Sequence, residues 1–104
     1  SGRFIAMNRF RVAPGREEEF RTVWRERDSY LDSVPGFMRF RLLEGPPGEE
    51  ATLFLSHSEW QSRDAFSAWT NSDAFTRAHR RGRTPPGTLL GHPEFEGFEV
   101  VLER

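Results

Sequence analysis

Residues 3–12 read RFIAMNRFRV, and their alternation decides how the rest of the chain is read. The even positions are Phe4, Ala6, Asn8, Phe10 and Val12, all apolar except Asn8. The odd positions are Arg3, Ile5, Met7, Arg9 and Arg11, apolar only in the middle. A period of two marks a strand. Apolar residues on both sides mean that both faces of the sheet are to be covered. Pro14-Gly15 then punctuates the strand's end.

Working outward, residues 16–34 carry Phe20, Val23, Trp24, Leu31 and Val34 on one face at a 3.6-residue period, which predicts a helix. Glu17-Glu18-Glu19 fall in its first turn, where the macrodipole favours negative charge, and Pro35-Gly36 stop it. Two strands follow, FMRFRLLE at 37–44 and ATLFLSHSEW at 51–60, joined through Gly45-Pro46-Pro47-Gly48 and so paired antiparallel. Residues 62–81 are helical in composition, with Ser62 as N-cap. Asn71-Ser72-Asp73 interrupts them, so that Ser72 can cap a second segment. GRTPPGTLLGHP at 82–93 is the least ordered stretch, and FEGFEVVLE at 95–103 is a final strand with Phe98, Val100 and Leu102 on one face.

The order β-α-β-β-α-β is the α+β, ferredoxin-like arrangement, a four-stranded antiparallel sheet with two helices on one face. Ile5, Met7, Phe37, Leu43, Leu53 and Leu55 are expected on the other face. That surface is too apolar for water, and a second copy of the chain is expected to cover it, giving a homodimer joined sheet to sheet, a dimeric α+β barrel.

At 104 residues the chain holds one domain, over 3–104, with Ser1-Gly2 read as a cloning remnant. Ten Phe and three Trp against one Ile and five Val make aromatics the main source of core volume. The absence of Cys excludes disulfides, thiolate-bound metals and a cysteine nucleophile. No apolar run is long enough to span a membrane, and a cytoplasmic protein is expected. A net charge of −1 offers no general attraction to nucleic acid. There is no HxxxH, HExxH, GxSxG, P-loop or GxGxxG.

Function is sought where a polar group interrupts an apolar surface. Asn8 does so on the strand face assigned to the helices; it is either a structural amide tied to a neighbouring loop or a donor aimed into a cavity. His79 follows Phe75 by four residues on one helical face beside the small Ala78, and is either a boundary residue or a ligand, since neutral imidazole is a usual axial ligand of haem iron. Trp69, three residues after Phe66, is core or cavity wall. On a continuous helix it would lie about 15 Å from His79, whereas a break at Asn71-Ser72 folds both around one space. His57 belongs to the presumed dimer face, and His92 is either exposed or a gate. Glu17–Glu19 read as a solvated helix end. Arg77, Arg80, Arg81 and Arg83 form a basic cluster, favourable at a helix C-terminus or able to pair with a ligand's carboxylates.

Taken together, FIAMNRF (4–10) with Asn8, WQSRDAFSAW (60–69) and SDAFTRAH (72–79) resemble the IsdG-type haem-degrading monooxygenases of the antibiotic biosynthesis monooxygenase (ABM) superfamily. The likeness spans nearly the whole chain and is weakest across 82–93. It implies one haem per subunit, held between sheet and helices as both cofactor and substrate. His79 matches the proximal ligand to the iron, Asn8 the amide opposite it, and Trp69 the bulky residue that distorts the porphyrin. Phe75 lies beside that site, and Arg27, Arg80, Arg81 and Arg83 are candidates for meeting the propionates. The resemblance further implies O₂, an external electron donor and so a partner reductase, with release of iron and an open-chain tetrapyrrole. Two other readings stay open: a cofactor-free ABM oxygenase acting on an aromatic polyketide or quinol, and a non-catalytic haem carrier or sensor.

Overall fold

The computed structural model describes all residues except Ser1, Asp28, Ser29 and Gly82. The strands are β1 (Phe4–Val12), β2 (Phe37–Glu44), β3 (Thr52–Trp60) and β4 (Glu94–Glu99). The helices are α1 (Glu17–Glu26), α2 (Arg63–Thr70) and α3 (Asp73–Arg81), with a 3₁₀ turn at Leu31–Ser33. The sheet order is β2-β3-β1-β4, antiparallel throughout. This is the expected ferredoxin-like α+β fold.

The β1–β3 register sets Phe4 against Trp60, Ala6 against Ser58, Asn8 against Ser56, Phe10 against Phe54 and Val12 against Thr52. Neighbours in register share a face, so these ten residues form the floor beneath the helices. Ile5, Met7, Leu53, Leu55 and His57 alternate onto the opposite face, as expected. Two aromatic clusters fill the helix side. Phe4, Trp60 and Trp69 pack at one end; Phe10, Phe20 and Phe54 pack at the other. Phe20 meets Phe54 edge-on at 4.9 Å between ring centroids, and Phe10 lies 5.2 Å from Phe20.

Four expectations are corrected. The first helix ends at Glu26, and Arg27 is already extended. Tyr30 then takes a left-handed backbone (φ 60°), so Leu31 and Val34 reach the core from a separate turn. Phe37 lies on the helix face, not the bare one. A bulge between Phe37 and Arg39 shifts the register, so Phe37 pairs with Trp60 and their rings meet edge-on at 5.5 Å. The last strand closes at Glu99, and Val101 and Leu102 beyond it are exposed. Glu17 and Glu19 are not merely solvated. The buried Thr52 hydroxyl donates to Glu17 at 2.7 Å, and the buried Thr88 hydroxyl donates to Glu19 at 2.9 Å. Both carboxyls are held below the usual carboxylate range, Glu17 chiefly by its Thr52 hydrogen bond and Glu19 chiefly by hydrogen bonds from Arg16, with Thr88 next. The Thr88 bond also ties the segment around Thr88 and Leu89, which bridges to Val12, to α1 and the end of β1.

Candidate functional site

The decisive local feature is the α2–α3 junction. The Ser62 hydroxyl caps α2 by accepting from the Ala65 amide at 3.1 Å. Ser72 closes one helix and opens the next: its hydroxyl donates to the Trp69 carbonyl at 2.6 Å and accepts from the Phe75 amide at 3.1 Å. The chain turns there instead of running straight, and Trp69 and His79 come to line one cavity.

That cavity, about 560 Å³, lies between the sheet floor and the helices. The volume falls within the ~300–1,000 Å³ typical of small-molecule sites. The sheet contributes Asn8 and Ser56; α2 and α3 contribute Trp69, Phe75 and His79; Arg27 and Arg83 stand at its edges. The helical wall is rigid and aromatic. Trp69 stacks on Trp60 with centroids 6.4 Å apart and meets Phe75 edge-on at 5.4 Å. Behind it, Trp69 also walls a second cavity of about 510 Å³ beside the 3₁₀ turn.

His79 stands at the open side of the cavity, its ring 3.9 Å from that of Phe75. Its Nδ1 lies 3.2 Å from the Phe75 carbonyl oxygen. A carbonyl only accepts, so the contact is a hydrogen bond when Nδ1 carries the proton, which leaves the lone pair on Nε2. Burial pushes the imidazole below its ordinary value of 6.5, and the nearby charge of Arg27 acts in the same direction, against the Phe75 hydrogen bond. The ring is therefore neutral at pH 7 and fit to ligate a metal through Nε2.

Arg27 is a half-buried cation with no carboxylate partner among the described residues; its Nε is buried without a hydrogen bond. Its guanidinium lies 4.5 Å from the centre of the Trp24 ring, and burial pulls its pKa down. A cation so placed beside an apolar cavity suits a ligand carboxylate. Asn8 faces the cavity, and among the described residues its amide makes no hydrogen bond, which favours the cavity-facing reading over the structural one.

The remaining candidates divide. Arg83 lines the cavity, while the side chains of Arg80 and Arg81 lie outside the described residues. Arg77 instead sits over the Tyr30 ring at 5.5 Å. His92 is exposed and does not line the cavity; His57 is across the sheet, its Nδ1 buried without a partner among the described residues. No cluster of three potential metal ligands occurs among the described residues. Sequence reasoning missed Trp24, Trp60, Phe66, Phe95 and Ser56 as cavity residues. The signal for Ser56 was present: it is a polar residue on the same parity as Phe54 and Trp60, by the rule that singled out Asn8.

The family model for antibiotic biosynthesis monooxygenases matches residues 3–81. A mycobilin-producing heme oxygenase of Mycobacterium tuberculosis is 34% identical over 99 residues, covering 95% of this chain and 90% of that protein. A heme-degrading monooxygenase of Shouchella clausii is 33% identical over 74 residues, covering 71% and 68% of the two chains. Among solved structures, the heme-degrader MhuD of Mycobacterium tuberculosis, with two hemes bound in its active site, superposes with a TM-score of 0.75. It is 29% identical, over 97% of this chain and 98% of that one.

Proposed function

The chain belongs to the antibiotic biosynthesis monooxygenase family, and from that premise we propose that it is a haem-degrading monooxygenase working in the cavity between sheet and helices. The observation that carries the reading is His79 with its Nδ1 3.2 Å from the Phe75 carbonyl oxygen, a contact that leaves Nε2 as the ligating atom, lining the same cavity as Asn8 and Trp69. Relatives at 33–34% identity named as heme-degrading enzymes support it.

The residues present fit a porphyrin. The walls are aromatic, the one imidazole is neutral, and an unpaired cation stands at the edge. When bound, the haem supplies both the iron that activates O₂ and the macrocycle that is opened, with electrons from an external donor. His79 presents its Nε2 to the metal from the α3 side. The Phe75 carbonyl fixes the ring's tautomer and orientation, the usual service of a partner behind a ligating histidine. Arg27 and Arg83, which line the cavity, would hold the ligand's carboxylates. Trp69, backed by Trp60 and Phe75, would bear on a flat ligand in the cavity. Asn8 offers an amide from the floor, a hydrogen-bond donor that is not itself a strong acid. The bare apolar sheet face with Ile5, Met7, Leu53 and Leu55 supports assembly as a homodimer.

Haem titration of the purified protein, followed by addition of reductant under air, tests the proposal. Saturation at one haem per subunit with a Soret band, then bleaching of that band and appearance of chelatable iron, is expected. Haem that survives turnover conditions unchanged would make the protein a carrier. No Soret band, with oxygen uptake on a phenolic substrate, would make it a cofactor-free oxygenase.

A further inference from the structure

Resting on the haem reading, we propose that Ser56 is a second polar anchor on the floor of the cavity, acting together with Asn8 on the small oxygen-containing ligand held at the sheet side of the porphyrin. Four polar residues interrupt the floor, and they differ in how they are used; Thr52 is engaged by Glu17 at 2.7 Å. Ser58 is engaged within the fold: its hydroxyl accepts from the Trp60 indole N–H at 2.9 Å and leans on the Ala6 carbonyl at 3.4 Å. Ser56 is not. It is 5% exposed, it lines the cavity, and among the described residues its hydroxyl has no hydrogen-bond partner. Asn8, directly opposite in the β1–β3 register, is half-buried, lines the same cavity and likewise has no hydrogen-bond partner among the described residues.

The Ser56 hydroxyl oxygen is not sealed in the core like Arg27 Nε or His57 Nδ1; it opens onto the cavity, and among the described residues no hydrogen bond of the fold uses it. An alanine or valine would pack this position better. Two unpaired groups facing each other across adjacent strands, roughly 4.5–5.5 Å apart at Cβ, make sense if something entering the cavity completes them. Ser56 brings one donor and an acceptor; the Asn8 amide brings two donors and an acceptor. Together they fit a water-sized guest that needs several polar contacts in an otherwise apolar space. Neither group is charged, so the pair orients its guest without protonating it. Ser56 is thus a positioning residue.

The test uses Ser56→Ala, with Ser56→Thr as the variant that keeps the hydroxyl, alongside wild type and Asn8→Ala. Apo Ser56→Ala is expected to melt at or above the wild-type temperature; a clear fall would place the hydroxyl in the fold and overturn the inference. On the ferric haem complex, azide is expected to bind about fivefold to tenfold more weakly to Ser56→Ala, the worth of one neutral hydrogen bond, with Ser56→Thr near wild type. On the ferrous complex, the C–O stretch of bound carbon monoxide is expected to rise. Asn8→Ala and Ser56→Ala effects are expected to be non-additive when combined. A stretch and an azide affinity unmoved by Ser56→Ala, while Asn8→Ala moves them, overturn the role of Ser56 and leave the haem reading standing. Wild-type protein that gives no Soret band overturns that reading itself, before any variant is compared.

Discussion

Replacing Arg27 with methionine separates a residue kept for the ligand from one kept for the fold. The substitution preserves an unbranched stem over Trp24 and deletes the charge. On the stability side two effects oppose each other. The cation–π contact at 4.5 Å is worth about 0.5–2 kcal/mol, and it is lost. The orphaned Nε and the half-buried charge cost about 1–3 kcal/mol, and that cost is relieved. The net change in apo stability therefore lies between a loss of about 1 kcal/mol and a gain of about 2.5 kcal/mol. On the binding side nothing offsets the loss. A charge-assisted hydrogen bond to a carboxylate is worth about 1.5–3 kcal/mol, so haem affinity falls about tenfold to 150-fold. Urea unfolding of the apo protein gives the first quantity and haem titration the second. A variant that loses more than about 2 kcal/mol of stability yet binds haem as tightly as wild type would refute the reasoning, because Arg27 would then be a strut.

His79→Ala is expected to abolish the Soret band or shift it strongly, read by haem titration at pH 7. Only neutral imidazole can ligate a metal, and the folded pKa of His79 lies below 6.5. Haem affinity should hold level above pH 6.5 and fall only below it, about tenfold per pH unit once past the folded pKa. In the apo protein the unfolded chain binds the proton first, so His79 adds a stability loss that grows as pH falls from 6.5 towards the folded pKa and is absent above; pH-dependent melting checks the sign. Ser72→Ala removes the hydroxyl that joins the Trp69 carbonyl to the Phe75 amide, costing about 1 kcal/mol of stability and weakening haem binding, because Trp69 and His79 lose their shared hinge. Gly97→Ala places a Cβ 2.5 Å from the Phe4 ring, inside the core, and should cost about 1–3 kcal/mol in denaturant unfolding.

The strand order was legible because β1 and β3 alternate cleanly and the turn residues between elements are Pro and Gly. Asn8, Trp69 and His79 were legible as polar or bulky exceptions, and the Ser72 cap was legible as a break. The end of α1 was not: Leu31 and Val34 keep helical spacing with Phe20 and Trp24, yet a left-handed Tyr30 delivers them to the core by another route. Spacing records which residues are buried, not the path between them. The partners of Glu17 and Glu19 were equally hidden, since Thr52 and Thr88 lie 35 and 69 residues away in sequence. Ser56 is marked in the sequence by the same parity as Asn8, a polar residue on the side of Phe54 and Trp60.

The slip between Phe37 and Arg39 has a bearing on how this chain tolerates insertion and deletion. With it, Phe37, Phe40 and Leu42 all serve the same interior despite their odd and even numbers, and Arg39 and Arg41 stay outside. Removing one residue there without moving the loops would swap the two sets over the remainder of the strand, sending guanidinium groups inward and a phenyl ring out. The extra residue works like a half-step in a staircase, and the segment from Gly36 to Glu44 is accordingly fixed in length more strictly than in composition.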